Sequence, residues 1–269
     1  AVIAAHQREL RKLEVEYVDT EAAADLVIVH ALAHTERVDV FHSHGFYPTA
    51  QEGWGPQFTQ ANELLIQIMM SARAVVSVSE LAAEVMRRDF HIQPHIIRNG
   101  VNFHEIRKGG DPAGFVIWPK MGINPTCDPA PFRWMAEHRK DLKYASMVQA
   151  ADGVHAYGQL PRHDFLKLLR ECSVYLGTTR ENNSMGSMEA MAIGIPLAGY
   201  NWGFNREWLQ SGNGCRLVEP GDLQGLSEAI DFIRDDWKGY SGQAREYARC
   251  NFGWDEPIKR IYELYEGLV

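Results

Sequence analysis

Short apolar runs alternate with segments of helical periodicity along most of the chain. The runs are rich in β-branched residues, which is typical of buried strands in a parallel sheet. The predicted strands are 25–30, 38–45, 74–79, 114–118 and 173–177, and the predicted helices are 3–13, 60–72, 80–89, 188–193 and 256–267. This alternation predicts a doubly wound α/β architecture.

The pattern is interrupted once, near residues 103–113. Lys108-Gly109-Gly110-Asp111-Pro112 has the composition of a flexible linker. A second sheet would begin directly after it, at Gly114–Trp118. The sequence therefore predicts two lobes, each with its own parallel sheet.

The composition narrows the class of protein. The 269 residues are 45% hydrophobic and 23% charged, enough to form one large or two small buried cores. The net charge of −8, with no basic cluster, argues against nucleic acid as a partner. No run of about 18 apolar residues and no signal peptide is visible, so we expect no integral membrane segment and a cytoplasmic location.

The segment Arg180–Gly199 is the most informative candidate site. It places Glu181 and Glu189 around a loop of small residues, between the strand ending at Gly177 and a predicted helix. Open α/β sheets bind ligands at such loops, and helix N-termini favour phosphate. Taken alone, two glutamates at this spacing are more typical of solvated surface charges on a helix than of a binding site.

The surrounding residues resemble a known family. Two glutamates separated by seven residues, followed by Ala-Met-Ala-x-Gly-x-Pro, resemble the signature of the retaining, nucleotide-sugar-dependent glycosyltransferases of family 4. Gly203–Glu207 and Gly212–Asp222 resemble two later motifs of this family, in the same order. In the first lobe, Val38–Gly45, Val76–Glu80 and Ile97–Asn102 are similar to family segments as well.

The resemblance implies the GT-B fold, which has two Rossmann-like domains with a cleft between them and a C-terminal helix that crosses back to the first domain. The N-terminal, acceptor-side domain would be residues 1–107, joined by the helix segment 252–269. The donor-binding domain would be residues 108–251. The implied reaction is a metal-independent, retaining transfer of a hexose-type sugar, with no cofactor. The co-substrate would be a UDP or GDP sugar and the acceptor a hydroxyl of a glycan, lipid or small molecule.

The family pattern also implies residue roles in the second lobe. Glu189 would accept hydrogen bonds from the donor ribose, and Glu181 would face the transferred sugar. Backbone N–H groups would meet the sugar or diphosphate along a stretch whose side chains are mostly small. The residues assigned to donor binding there are Asn183, Ser184, Met185, Gly186 and Ser187.

In the first lobe, His44 and Gly45 stand at the end of a predicted strand. In the resembling enzymes the corresponding histidine contacts the donor sugar or the acceptor. His42 should point to the same face as His44. The pair could instead bind a metal, although no third ligand accompanies it at a diagnostic spacing. A hydrogen-bonded core histidine is the alternative for His42.

The phosphate partner departs from the family pattern. Family members usually carry Gly-Arg and then a lysine after the first strand of the second lobe, whereas this chain has Trp118-Pro119-Lys120. Lys120 could act as a point charge on the diphosphate but lacks the bidentate geometry of arginine. The alternative is that Lys120 is an ordinary surface lysine.

The start of the chain is a second departure. Family members begin with a strand and a glycine-rich loop, whereas this sequence begins in what resembles the following helix. It is therefore either a fragment or a shortened enzyme. Two other functions are compatible with the residues: a sugar-nucleotide epimerase of the same fold, and a non-catalytic subunit that binds a sugar nucleotide.

Overall fold

The computed structural model describes residues 2–18, 20–30, 35, 37–45, 56–120, 122–123, 127–180 and 184–269. The chain forms two compact units. The first unit is Ala1–Gly100 with Trp254–Val269, and the second is Val101–Gly253. The division falls at residue 100 rather than at the expected 107, because Val101 and Ile106 are buried in the core of the second unit.

The first unit is built on a parallel sheet of order β1-β2-β3-β4. Its elements are α1 (Val2–Arg11), a 3-10 turn (Glu21–Ala23), β1 (Ile28–His30), β2 (Val40–Ser43), α2 (Pro56–Ser71), β3 (Ala74–Ser77), α3 (Glu80–Phe90) and β4 (His95–Ile96). The observed strands are shorter than the apolar runs that predicted them.

The second unit contains a six-stranded parallel sheet of order β10-β9-β8-β5-β6-β7. Its elements are β5 (Phe115–Trp118), α4 (Ala130–His138), β6 (Tyr144–Ser146), β7 (His155–Ala156), α5 (Arg162–Leu169), β8 (Cys172–Gly177), α6 (Met185–Ile193), β9 (Leu197–Tyr200), α7 (Gly203–Trp208), β10 (Cys215–Val218), α8 (Leu223–Asp235) and α9 (Trp237–Asn251).

Helices cover both faces of each sheet, because successive strand side chains point to opposite faces. In β8, Tyr175 packs into the core shared with α6 and α9, whereas Val174 and Leu176 pack into the core shared with α4 and α8. In β2, Val40 and Phe41 likewise enter two different cores. The doubly wound architecture predicted from the sequence is confirmed in both units.

The last helix, α10 (Asp255–Glu266), belongs to the first unit. Its Ile258 and Ile261 are buried together with Leu10 of α1 and Val40 of β2. The C-terminal helix therefore returns to the N-terminal unit, as the sequence predicted. Within the described part of the chain, no helix is long and apolar enough to cross a membrane.

The turn before β10 gives a direct test of the packing. Gly214 has φ +79°, and a Cβ placed there would overlap the backbone of Ala244 in α9. Gly212 has φ +97° but nothing within 4 Å of its Cβ position. We expect Gly214→Ala to lower the free energy of unfolding by about 2–5 kcal/mol, and Gly212→Ala by only about 1–2 kcal/mol of backbone strain. Urea unfolding of the two variants checks this, and equal losses would contradict the close approach of α9.

Candidate donor site in the second unit

The second sheet has a topological switch point between β5 and β8. From β5 the chain moves outward through β6 and β7, and then returns to form β8 on the opposite side of β5. The connections after β5 and β8 therefore lead away in opposite directions, which opens a crevice at their carboxyl ends. Ligands of open α/β sheets bind in such crevices.

Lys120 and Thr178 stand at this switch point. Lys120 follows β5 by two residues and is only 8% exposed, so it is not an ordinary surface lysine. Thr178 follows β8 directly and accepts a hydrogen bond of 3.2 Å from the indole N–H of Trp118. This bond ties the ends of β5 and β8 together, beside the segment that leads to α6.

Helix α6 begins at Met185, three residues before the predicted start at Met188. Ser184 caps it, because its hydroxyl accepts from the Ser187 N–H at 3.4 Å and lies 2.8 Å from the Ser187 hydroxyl. Met185, Gly186 and Ser187 therefore form the first helical turn rather than a loop. The Ser187 N–H is used by the cap. The first-turn N–H groups of Met185 and Gly186 have no acceptor inside the helix, and none is found among the described residues.

Gly186 lies against a buried hydroxyl. A Cβ at this position would lie 2.7 Å from the hydroxyl oxygen of Tyr175 in β8. That oxygen is buried and has no hydrogen-bond partner among the described residues. Packing against Tyr175 is thus one reason for a glycine in the first turn of α6.

Glu189 is buried inside the second unit, with 4% of its surface exposed. It is therefore not a solvated helix glutamate. Its Oε1 accepts a hydrogen bond of 2.6 Å from Nη1 of Arg162, and Nε of Arg162 donates to Oε2 of Glu105 at 3.0 Å. Burial raises the pKa of Glu189 above its usual range, and the positive charge of Arg162 opposes that rise.

Arg162 is the site residue that the sequence analysis missed. It opens α5, directly after Pro161, and stands 27 positions before Glu189. No motif or periodicity links two positions so far apart. Only the packing of α5 beside α6 brings the guanidinium to the buried carboxylate.

His44 and Gly45 lie in the first unit, after β2. Nε2 of His44 is 3.2 Å from Nδ1 of His30. Gly45 has φ +111°, and its N–H donates to the Ser43 hydroxyl at 3.3 Å. His42 is buried, and its Nε2 lies 2.8 Å from the Tyr265 hydroxyl. The other two predicted residues, Glu181 and Asn183, lie outside the described residues.

Most of the second unit matches the model of a known protein family. Residues 137–250 match the model of the family described as glycosyl transferases group 1. This range includes α5, β8 and α6, and hence both Arg162 and Glu189. Comparison with curated protein sequences gave no match.

Solved structures of low sequence identity share the fold. Sucrose-phosphate synthase from Thermosynechococcus elongatus has a TM-score of 0.70 at 16% identity, over 85% of this chain and 67% of that one. Anabaena HepE in complex with UDP-glucose has a TM-score of 0.69 at 16% identity, over 85% of this chain and 72% of that one. A glycosyltransferase from Rickettsia africae has a TM-score of 0.66 at 14% identity, over 97% and 87%. Residues 137–250 therefore resemble the glycosyl transferases group 1 family, and the chain has the GT-B fold of these solved structures.

Proposed function

We propose that this chain is a glycosyltransferase that moves a hexose-type sugar from a nucleoside diphosphate-sugar to an acceptor hydroxyl. The observation that carries the proposal is the placement of polar groups after the two strands that form the switch point of the second sheet. Lys120 follows β5, and the segment after β8 leads into the first turn of α6. The buried carboxylate of Glu189 lies one turn further along α6.

These groups have the chemistry that a sugar nucleotide needs. The N–H groups at the start of α6 and the ammonium of Lys120 would stabilise negative charge on the diphosphate. Glu189, held by Arg162, would accept hydrogen bonds from the ribose hydroxyls. In the second unit, Glu181 is proposed to contact the transferred sugar and Asn183 to bind the donor. In the first unit, His44 is proposed to contact the donor sugar or the acceptor, and Gly45 to bind the donor.

In the proposed reaction, the bond between the anomeric carbon and the diphosphate oxygen breaks, and its electron pair stays on the diphosphate. The acceptor oxygen forms the new bond on the same face of the sugar, which retains the configuration. Its proton passes to the departing phosphate oxygen. Catalysis would then consist of positioning and of charge stabilisation on the leaving group, without a catalytic metal.

We propose a UDP sugar as the first donor to test, because the solved structure of HepE contains UDP-glucose. Calorimetry with UDP, GDP, dTDP and ADP and their common sugar conjugates, with and without EDTA, tests donor binding. Selective binding that EDTA leaves unchanged supports the proposal, and no binding by any nucleotide overturns it. Turnover then separates the transferase from the two alternatives. Acceptors are screened among glycans, lipids and small molecules. Release of an altered sugar nucleotide without an acceptor indicates an epimerase. Binding of the sugar nucleotide without any turnover indicates a non-catalytic subunit.

Replacing Lys120 tests the assignment of the phosphate subsite. We expect Lys120→Ala to weaken binding of the nucleoside diphosphate about 10- to 100-fold, which corresponds to the loss of one charge-assisted hydrogen bond. Binding of the nucleoside alone should change little, because it has no phosphate. Lys167→Ala is the matched control, since Lys167 is an exposed lysine of the same unit. Equal effects on nucleoside and nucleoside diphosphate would remove Lys120 from the phosphate subsite.

A further inference from the structure

Imidazole side chains cluster inside the first unit. His6 comes from α1, His30 from β1 and His42 from β2. His30 and His42 are direct neighbours across the parallel strand pair, and their rings are stacked with centroids 4.6 Å apart. The ring of His6 lies edge-on to both, at 5.2 Å from each.

His6 is left without polar partners in this cluster. His6 is 4% exposed, and neither ring nitrogen makes a hydrogen bond of good geometry to a described residue. The side chain of Asn99 is a polar neighbour close enough to raise the pKa of His6 slightly. An unpaired buried polar group destabilises the folded state, so buried nitrogens usually have a partner. Packing alone would be served better by an apolar ring, which leaves the choice of histidine to be explained.

We propose that His6, His30 and His42 bind a divalent transition-metal ion, with Zn²⁺ as the reference ion. One ligand nitrogen from each of the three residues lies within 4.8 Å of the others. Tetrahedral Zn²⁺ with Zn–N bonds of about 2.0–2.1 Å places its ligand nitrogens about 3.3 Å apart. Rotation of the imidazole rings toward a common centre would close this difference.

The surroundings have the features of a metal site. A ligating histidine uses one ring nitrogen for the metal and usually donates the other N–H to a partner. His30 already meets His44 through Nδ1, and His42 meets the Tyr265 hydroxyl through Nε2. Each therefore keeps one nitrogen for an ion, and His44 and Tyr265 would orient the ligands.

The cluster is also in the protonation state that a metal requires. Burial, together with the neighbouring imidazoles, lowers the pKa of His6 to about 4 and that of His30 to about 3. Both rings are thus neutral at pH 7, with lone pairs to donate. Imidazole ligands suit Zn²⁺, Cu²⁺ and Ni²⁺ far better than Mg²⁺ or Ca²⁺. A bound ion would fasten α1 to two strands of the sheet.

Cobalt titration of the whole EDTA-treated and desalted chain tests the proposal. We expect one Co²⁺ per chain, visible ligand-field absorption of a tetrahedral site, and its displacement by Zn²⁺. His6→Gln and His30→Gln should each weaken binding at least about 100-fold, because loss of an outer partner alone costs 10- to 100-fold. His95→Gln is the matched control, since His95 is an exposed histidine of the same unit and should leave binding unchanged.

Measurements on the wild-type chain also test the metal site by themselves. The proposal can therefore be tested even if a variant folds poorly. X-ray absorption of the zinc-loaded chain should show three imidazole nitrogens around the ion. A zinc-dependent rise of the thermal midpoint should accompany loading. The proposal is overturned if the folded wild-type chain takes up no stoichiometric ion, if oxygen ligands alone surround it, or if both glutamine variants bind as well as wild type.

Discussion

Replacing Arg162 with methionine should lower the free energy of unfolding by about 2–3 kcal/mol, well beyond the effect of an ordinary surface arginine. Breaking a buried pair typically costs about 3–5 kcal/mol, because the remaining charge is uncompensated. The side chain of Arg162 is 40% exposed, whereas that of Glu189 is 5% exposed. Water therefore replaces part of the lost interaction, and the expected cost is smaller. The pKa of Glu189 should rise further, since the positive charge that opposes its rise is removed.

A double variant separates the effect of the ion pair on stability from the effect of the Glu189 carboxylate on donor binding. Arg162→Met with Glu189→Gln should recover most of the lost stability, because an amide needs no counter-ion. Donor affinity should stay low, by about 10- to 100-fold relative to wild type, because the carboxylate that would accept ribose hydrogen bonds is gone. Urea unfolding and calorimetry with the nucleoside diphosphate measure the two effects.

Arg249→Ala is the matched control for the ion pair. Arg249 pairs with Glu246 on the surface of the same unit, and both side chains are more than 60% exposed. Such exposed pairs contribute about 0–1 kcal/mol. If Arg162→Met costs no more than Arg249→Ala, the pair does not hold the buried carboxylate in place. If Glu189→Gln leaves donor binding unchanged, Glu189 is not the ribose ligand.

Acidification of the metal-free chain should destabilise the first unit between pH 6.5 and about 4. Burial, reinforced by the neighbouring imidazoles, lowers the pKa of His6 from 6.5 to about 4. Between pH 6.5 and about 4, His6 binds a proton in the unfolded chain but not in the folded chain. The full contribution to stability is therefore present above pH 6.5 and is lost as the pH falls. At pH 4.5 the loss is about 2–3 kcal/mol for His6 alone, and His30, with a pKa of about 3, adds to it.

The slope of stability against pH identifies the responsible groups. Each such histidine adds about 1.4 kcal/mol per pH unit inside its window. His6→Gln, measured in EDTA, should reduce the slope by about one proton, while His95→Gln should leave it unchanged. The slope is read between pH 6.5 and 5, because carboxylates with a lowered pKa, such as Asp141 beside Arg139, lose their contribution only as the pH falls toward their unfolded-state value of about 4. A wild-type slope near zero from pH 6.5 to 5 would contradict the neutral cluster.

Much of the fold could be predicted because its signals are local. A strand that is buried on both faces needs a continuous apolar run, and Val174-Tyr175-Leu176 at the centre of β8 shows this. Gly194, with φ +103°, ends α6 where the sequence indicated a stop. The boundaries were less accurate, because caps decide them: Ser184 starts α6 earlier than its apolar residues suggested.

The candidate site was only partly visible in the sequence. Glu189 and the small residues before it lie together in the sequence, so a motif could identify them. Arg162 could not be identified in this way, because its partnership depends on α5 lying beside α6. The same holds for the unpaired hydroxyl of Tyr175, which faces Gly186 only once β8 and α6 pack together.

The sequence by itself determined the alternation of strands and helices, the two-lobed organisation and the glycosyltransferase motif around Glu189. These features depend on backbone sterics and apolar periodicity, which act over a few residues. Only the tertiary structure decided that Glu189 is charge-paired with Arg162, and that His6 joins His30 and His42. Strand order and helix packing bring these distant residues into contact. No local pattern along the chain predicts contacts between residues so far apart in the sequence.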